Sequence, residues 1–301
     1  MIDVAIIGAG AAGMTAALYA LRAGLKVLII EKEIYGGQFS IADNIENYPG
    51  IENISGLDLS QKIYEQVKKL GCEFLFQEVK EAKLRGKIKT LKAQDRVIEC
   101  KSIIIASGLT RRKLNCIGEN EFLGRGVSFC ATCDGSFFKG KNVMVVGSGN
   151  TALQYVLYLS KICNKVFLVI RKERIKAEKY LADAAKEQKN VEILYNCSIK
   201  EIKGENGKVG KVIFNDNMGE KNVSGIFIAV GYEANNDIYK DQINLDEKGY
   251  IISNEDCETN IDGVYAAGDC REKRLRQIIT AASDGAIAGT GVINYLLKNK
   301  D

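Results

Sequence analysis

Histidine and tryptophan are both absent from this sequence of 301 residues, and proline occurs once, at Pro49. The absence of histidine excludes Ser-His-Asp and Cys-His catalysis, histidine metal ligands and histidine acid/base chemistry. Any proton transfer therefore uses a carboxylate, lysine, tyrosine, cysteine or water. Because proline is so scarce, the turns and helix ends depend on the 30 glycines.

Charge of one sign is not concentrated in any segment. The net charge is +4, and the sequence has no basic run typical of a nucleic-acid-binding arm, so we expect no nucleic-acid partner. This mild positive charge favours acidic partners. A hydrophobic fraction of 46% and a charged fraction of 27% exclude a disordered or fibrous chain. The length favours two domains.

One uncharged, largely apolar stretch, residues 4–21, is long enough to raise the question of a membrane span. It contains three glycines near its start, and the acidic Asp3 precedes it where a signal peptide would have a basic region. A buried strand followed by a buried helix explains this stretch better. We therefore expect no membrane association.

The nine cysteines are odd in number and scattered in spacing. This distribution differs from the disulfide framework of a secreted protein and indicates a reducing cytoplasm. Seven of them are isolated in the sequence and are predicted to be small buried apolar residues or inert surface thiols.

Two similar halves follow each other along the chain. A strand at Ile2–Ile7, a glycine turn, a helix at about 11–23 and a strand at 26–30 are predicted first. The same pattern restarts at residue 142. Further helices are predicted at about 58–70, 176–188 and 278–297, and further strands within 72–105, near 191 and 211, and at 225–231 and 263–267. The pattern indicates an α/β protein with two Rossmann-like dinucleotide-binding domains.

The first glycine turn carries a dinucleotide fingerprint between a strand and a helix: Gly8, Gly10 and Gly13. These glycines permit a tight turn, close approach of a diphosphate to the backbone, and close packing of helix on strand. Glu31 ends the next strand, where an acid accepts hydrogen bonds from ribose hydroxyls. The alternative is a glycine-rich turn without a ligand.

The second turn repeats the arrangement with Gly147, Gly149 and Ala152. Its next strand is followed by a basic cluster instead of an acid: Arg171, Lys172, Arg174 and Lys176. A cationic cluster attracts a 2′-phosphate, which favours NADP over NAD. The alternative is a solvated basic face beside a nucleotide site that has lost its function.

Cys130 and Cys133 form a CxxC motif, followed by Asp134. This spacing suits a redox dithiol, because the two sulfurs close a small ring. A zinc site would need two further ligands, and the sequence has neither a second CxxC nor histidine, so no metal site is expected. Asp134 is either a helix cap or the proton donor of this site.

The run 128–135, Ser-Phe-Cys-Ala-Thr-Cys-Asp-Gly, closely resembles the active site of low-molecular-weight thioredoxin reductases. Segments 8–13, 36–38, 46–50, 263–269 and 276–277 resemble the same family, so the resemblance covers essentially the whole chain. It implies a discontinuous FAD domain at 1–112 plus 244–301. It also implies an inserted NADPH-binding-like domain at 113–243 that carries the CxxC, a homodimer, and a rotation between the domains.

The resemblance also implies residue roles. Cys130 would attack the thioredoxin disulfide, Cys133 would face the flavin, and Asp134 would be the acid. The residues that would bind FAD are Gly8, Gly10, Gly13, Glu31, Gln38, Asn47, Gly268, Asp269 and Gln277. The residues that would bind NADPH are Gly147, Gly149, Ala152, Arg171, Lys172 and Lys176.

The departures from the family concern NADPH. Where the family has His-Arg-Arg and a later Arg, this chain has Ile170, Arg171, Lys172 and Lys176. The paired glutamates that are usual in the family after the second glycine turn are replaced here by Gln154 and Tyr155. Some relatives take electrons from reduced ferredoxin instead. The leading hypothesis is a cytoplasmic FAD-dependent thioredoxin-disulfide reductase that uses NADPH. The alternatives are the same enzyme with a ferredoxin donor, and a flavin-binding redox sensor with little turnover.

Overall fold

The computed structural model describes residues 1–42, 44–215 and 218–299. Positions 43, 216, 217, 300 and 301 belong to the predicted domain ranges but lie outside the described residues. The chain divides into two compact units, one formed by Met1–Thr110 with Glu233–Asp301 and the other by Arg111–Tyr232.

The first unit is built on a seven-stranded sheet with the strand order β3-β2-β1-β6-β5-β4, and β17 pairs with β6 beside this path. Its strands are β1 (Ile2–Ile7), β2 (Val27–Glu31), β3 (Glu73–Phe76), β4 (Val79–Lys83), β5 (Lys89–Ala93), β6 (Arg96–Ile105) and β17 (Val264–Ala266). Its helices are α1 (Ala11–Arg22), α2 (Gly56–Lys69) and α6 (Ile278–Lys298). Strands β3, β2, β1 and β6 run parallel, as in a dinucleotide-binding fold.

The second unit contains a five-stranded parallel sheet, β11-β10-β9-β15-β8, and a three-stranded antiparallel sheet, β12-β13-β14. Its strands are β8 (Val127–Ser128), β9 (Asn142–Val146), β10 (Lys165–Ile170), β11 (Val191–Tyr195), β12 (Ile199–Glu205), β13 (Lys208–Phe214), β14 (Glu220–Asn222) and β15 (Gly225–Ile228). Its helices are α3 (Ala131–Asp134), α4 (Asn150–Ser160) and α5 (Lys179–Lys186). Two short strands, β7 (Thr110–Arg111) and β16 (Tyr232–Glu233), pair where the chain passes between the units.

The central parallel strands of the seven-stranded and five-stranded sheets are buried on both faces, although β4, β5 and β6 of the seven-stranded sheet pair antiparallel. In β1, Val4 and Ile6 belong to one buried cluster, whereas Ala5 and Ile7 belong to another on the opposite face. Continuous apolar strands of this kind are typical of parallel sheets between helical layers. The predicted α/β class with two Rossmann-like units is confirmed.

The apolar stretch 4–21 forms most of β1, the glycine turn and most of α1. No helix in the described part of the chain is long and apolar enough to span a membrane.

Two boundaries differ from the sequence-based prediction. The predicted inserted domain includes residues 233–243, but Tyr239 and Ile243 are buried in the core of the first unit, at 1% and 2% exposure. Helix α5 begins at Lys179 and not at 176, and the backbone N–H groups of Lys176 and Ala177, which precede it, donate to the Ser148 carbonyl.

Helix α1 can approach β1 closely because Gly13 has no side chain. A Cβ added to Gly13 would lie 1.9 Å from the Gly8 carbonyl oxygen, whereas one added to Gly10 would meet only the Gly36 oxygen, at 4.0 Å. The third glycine of the motif is therefore required by packing. The second leaves open space beside the backbone.

We expect Gly13→Ala to lower the free energy of unfolding of the ligand-free protein by about 1–3 kcal/mol, since the methyl group overpacks the contact between helix and strand. Gly10→Ala is the matched control and should lower that free energy by clearly less, because its Cβ enters open space and the main loss is the preference for glycine over alanine at the N-cap of α1. Urea denaturation followed by circular dichroism measures both. Equal stabilities of the two variants would contradict this account of the packing.

Candidate functional site

The two cysteines of the CxxC motif form a disulfide at the start of helix α3, with their Cα atoms 5.4 Å apart. Cys130 is the N-cap residue of this helix, and its Sγ accepts a hydrogen bond from the Cys133 N–H at 3.2 Å. The Thr132 hydroxyl lies 3.3 Å from the same sulfur. Polar hydrogens around Cys130 Sγ favour negative charge there once the disulfide is reduced.

Asp134 closes helix α3 and is linked to the cysteines through Ser128. The Ser128 hydroxyl donates to Asp134 Oδ2 at 2.6 Å and accepts from the Cys130 N–H at 3.0 Å. The Asp134 side chain caps neither α3, which Cys130 caps, nor the following 3-10 helix at Gly135–Phe138. The acid is therefore held beside the redox disulfide by a neutral hydroxyl.

The other seven cysteines carry no disulfide, and all except the half-exposed Cys116 are buried. Burial raises the pKa of Cys72, Cys100 and Cys257 to about 12. It raises the pKa of Cys116, Cys163 and Cys270 to about 11. These thiols are poor nucleophiles at neutral pH, because the thiolate is the reactive form.

In the first unit, the Glu31 carboxylate is hydrogen-bonded to the backbone of the glycine turn. Its Oε2 accepts from the Ala9 N–H at 2.8 Å, and its Oε1 accepts from the Glu33 N–H at 3.0 Å. Each oxygen retains a further lone pair for a hydroxyl donor. A cleft of ≈ 80 Å³ is lined by Gly8, Glu31 and Gln77 among others, and Gln77 Oε1 is buried there without a hydrogen-bond partner in the described structure.

Two further predicted residues, Asn47 and Gln277, come together although they are distant in sequence. The Asn47 side-chain amide donates to Gln277 Oε1 at 3.1 Å, across 230 residues of chain. Gln277 is the N-cap residue of α6. Gln38 lies in the same unit and donates from its side chain to the Leu109 carbonyl at 3.1 Å.

Gly268 and Asp269 form a short 3-10 turn after β17, at Gly268–Cys270. Asp269 Oδ1 is buried and makes no hydrogen bond within the described residues. Burial raises the pKa of Asp269, and the cations Lys273 and Arg276 oppose this shift. A buried carboxylate oxygen without a donor fits a ligand that supplies one, such as a hydroxyl group.

The second unit contains a larger cleft of ≈ 490 Å³ beside its glycine turn. Gly147, Gly149, Arg171, Lys172 and Lys176 all line this cleft. The predicted residue Ala152 is buried beneath the turn and is not among the lining residues. Lys176 is held at the turn, since its backbone N–H donates to the Ser148 carbonyl at 2.7 Å. A Cβ on Gly149 would meet nothing within 4 Å.

Sequence reasoning missed part of this cleft. Arg111, Arg112 and Lys113 line it together with the predicted cations, and no carboxylate is among the lining residues in the described ranges. The run Arg-Arg-Lys is visible in the sequence, but nothing local shows that it faces the glycine turn. Tyr155, noted only as a departure, also lines the cleft and donates to the Phe129 carbonyl at 2.8 Å, next to Cys130.

The sequence matches the pyridine nucleotide-disulphide oxidoreductase family over residues 2–285. It is 43% identical to a thioredoxin reductase from Bacillus subtilis over 298 residues, which cover 98% of this chain and 94% of that protein.

Solved structures are similar as well. The thioredoxin reductase of Lactococcus lactis superposes with a TM-score of 0.81 at 38% identity, covering 99% of this chain and 100% of that one. A ferredoxin-flavin thioredoxin reductase from Clostridium acetobutylicum superposes with a TM-score of 0.57 at 31% identity, covering 99% and 98%. With its redox disulfide and its two Rossmann-like units, the chain belongs to the pyridine nucleotide-disulphide oxidoreductase family.

Proposed function

We propose that this protein is a FAD-dependent thioredoxin-disulfide reductase that uses NADPH as its electron donor. The observation that carries the proposal is the Cys130–Cys133 disulfide, with Asp134 held beside it, in a chain that also has two Rossmann-like units. The full-length similarity to proteins named thioredoxin reductase supports the choice of substrate.

The residues of the first unit fit FAD. Open space at Gly10 admits a diphosphate to the start of α1, whose first turn contains no acidic residue. Glu31 would accept from the ribose, and the unpartnered Asp269 Oδ1 would accept from a hydroxyl of the ribityl chain. Gln38, Asn47 and Gln277 would lie on the flavin side. Residues 1–110 and 233–301 would thus form the FAD domain.

The residues of the second unit fit a phosphorylated pyridine nucleotide. Gly149 leaves space for the diphosphate, and the cations Arg171, Lys172 and Lys176 suit a 2′-phosphate. Arg111, Arg112 and Lys113 add positive charge to the same cleft. When bound, FAD would supply a two-electron carrier between the donor and the disulfide.

The protein's own cysteines carry out the exchange. After reduction, the Cys130 thiolate attacks one sulfur of the thioredoxin disulfide, forming a mixed disulfide and releasing one thioredoxin thiolate. Cys133 then attacks Cys130 Sγ, which breaks the mixed disulfide, releases the second thioredoxin thiolate and restores the Cys130–Cys133 bond. Asp134, which accepts a hydrogen bond from the Ser128 hydroxyl, would donate a proton to a departing thiolate.

The proposal has three further parts: the protein forms a homodimer, its two units rotate relative to each other, and it is located in the cytoplasm. The first two follow from the resemblance to thioredoxin reductases, in which the flavin meets its donor and the disulfide in turn. The seven cysteines without a disulfide support a reducing compartment.

Cys130→Ser and Cys133→Ser should each abolish thioredoxin reduction, because each removes one partner of the exchange, yet both should retain FAD. Thioredoxin-dependent turnover and the flavin absorbance of the purified variants measure the two properties. Cys116→Ser is the control, since Cys116 is the most exposed of the remaining cysteines, and it should keep full turnover. Wild-type turnover in either CxxC variant would refute the assignment. Yellow wild-type protein without turnover would instead favour the sensor.

The pH dependence of alkylation should separate the CxxC thiols from the thiols whose pKa is raised by burial. A thiol with a pKa of about 11, such as Cys116, is only about 0.1% thiolate at pH 8, and this fraction rises roughly tenfold per pH unit until the pKa is reached. We expect iodoacetamide to modify the reduced native protein first at Cys130 and Cys133. Mass spectrometry of the labelled peptides measures the order. Labelling of Cys116 at the same rate would contradict it.

Arg171→Ala tests whether the second unit binds the 2′-phosphate of NADPH. If Arg171 binds the 2′-phosphate, this variant loses a charge-assisted hydrogen bond and should bind NADPH roughly 10- to 150-fold more weakly, with NADH nearly unaffected. Arg174→Ala is the matched control, because Arg174 is exposed in the same loop but does not line the cleft. Anaerobic bleaching of the flavin by each nucleotide measures the effect. Equal NADPH affinity in the two variants would contradict this location of the phosphate.

The same bleaching experiment tests ferredoxin as the donor, the alternative that the similarity to a ferredoxin-flavin enzyme and the cationic cleft favour. If NADPH is the donor, wild-type flavin should bleach with NADPH, and Gly149→Ala should prevent it by filling the open space at the turn. Bleaching by reduced ferredoxin but not by millimolar NADPH would establish the alternative. The disulfide chemistry would be unchanged.

A further inference from the structure

Asp284 is a buried carboxylate on helix α6, only 7% exposed, and both of its oxygens are engaged. Oδ2 accepts from the Gly268 N–H at 2.9 Å and from Lys273 Nζ at 2.8 Å. Oδ1 accepts from the Arg271 guanidinium at 3.4 Å. The side chains of Arg271 and Lys273 are themselves about nine-tenths buried, at 11% and 10% exposure.

Stability alone does not account for this cluster of buried charges on helix α6. Removing three charged groups from water carries a large desolvation penalty, and apolar residues of similar size often stabilise such a position equally well. What the carboxylate provides, and an apolar side chain cannot, is an acceptor for one particular backbone donor, the N–H of Gly268. The geometry of that contact therefore points to a positioning role.

The Gly268 N–H begins the turn that presents Asp269. The turn is confined from two directions, because Gly268 adopts φ +81° with α1 so close that a Cβ there would lie 2.9 Å from Ala12 Cβ. Asp284 holds the same residue from the side of α6. A displacement of Gly268 would thus move Asp269, with its unpartnered oxygen, relative to the start of α1.

We propose that Asp284 is a positioning residue for FAD, which fixes the distance between the Asp269 carboxylate and the N-terminus of α1 through its hydrogen bond to Gly268. The inference rests on the proposed function, in which these two features bind one FAD molecule. Arg271 and Lys273 compensate the buried charge of Asp284. Lys273 also donates to the Thr280 carbonyl at 3.2 Å, which ties the cluster to the first turn of α6.

Two double variants isolate the hydrogen bond at constant charge. In Asp284→Asn with Lys273→Met, the introduced side-chain amide oxygen still accepts from Gly268, and one cation is removed with the one anion. In Asp284→Ala with Lys273→Met the charge is the same but the acceptor is lost. We expect the Ala variant to bind FAD about 3- to 10-fold more weakly than the Asn variant, as for one hydrogen bond. Titration of the flavin-free proteins, followed by flavin fluorescence, measures the dissociation constants.

Asp3→Asn is the matched control for a purely structural effect. Asp3 lies in the same unit and also accepts from a backbone N–H, that of Lys26 at 3.0 Å, and from a lysine, Lys101 at 2.7 Å. This variant should lower the melting temperature without changing the affinity for FAD. Equal FAD affinity of the two folded double variants would overturn the inference.

If a double variant does not fold, the single variant Lys273→Met still tests the inference. Lys273→Met leaves the bond between Asp284 and Gly268 in place, so its FAD affinity should stay within about threefold of wild type, and a larger loss would overturn the inference. Failure of the wild-type protein itself to bind FAD would refute the proposed function and the inference together. A wild-type protein that binds FAD, with no difference between the double variants, would refute the inference alone.

Discussion

The close contact of three backbones is the constraint on which the first unit depends. A Cβ on Gly13 would lie 1.9 Å from the Gly8 carbonyl oxygen, and one on Gly285 would lie 2.2 Å from the Ala12 carbonyl oxygen. Strand β1, helix α1 and helix α6 therefore meet only because these positions lack side chains. The contact holds the N-terminus of α1 at the carboxyl end of β1, where its first amide groups can bind a diphosphate. The turn that carries Asp269 packs against the same helix.

The second unit has a similarly close backbone contact at its glycine turn, but the charge at the end of its second strand is positive instead of negative. A Cβ on Gly147 would lie 2.2 Å from the Ala229 carbonyl oxygen, whereas the third position of the motif is already Ala152. The strand after the first helix of the first unit ends in Glu31, but the equivalent strand of the second unit is followed by Arg171 and Lys172. In the proposed function, the shared fold would set where each dinucleotide binds, and the charge at the end of this strand would distinguish one kind of dinucleotide from the other.

The sequence was sufficient to predict the fold class and the helices and core strands of the two Rossmann-like units, because strand length, helix periodicity and glycine turns are local signals. Strands β7 and β8 and helix α3 escaped prediction because two to four residues carry no periodicity. Long-range contacts escaped for a different reason. The resemblance named Asn47 and Gln277, but only the fold shows that they are hydrogen-bonded. Asp284 gave no signal at all, since its partners lie 11 to 16 residues away across a turn.

Without histidine, proton transfer in this chain is left to carboxylates, lysine, tyrosine, cysteine or water, and the partners of each carboxylate determine what it can do. Asp284 lies between two cations, which stabilise its negative charge and suit it to a fixed structural contact. Asp134 is bonded instead to the neutral Ser128 hydroxyl, which also accepts from the Cys130 N–H. The Ser128 hydroxyl therefore fixes Asp134 relative to the backbone of Cys130 through a contact that adds no charge. Asp284 is thus bound by cations, whereas Asp134 is bound by a neutral group that also contacts a cysteine of the disulfide.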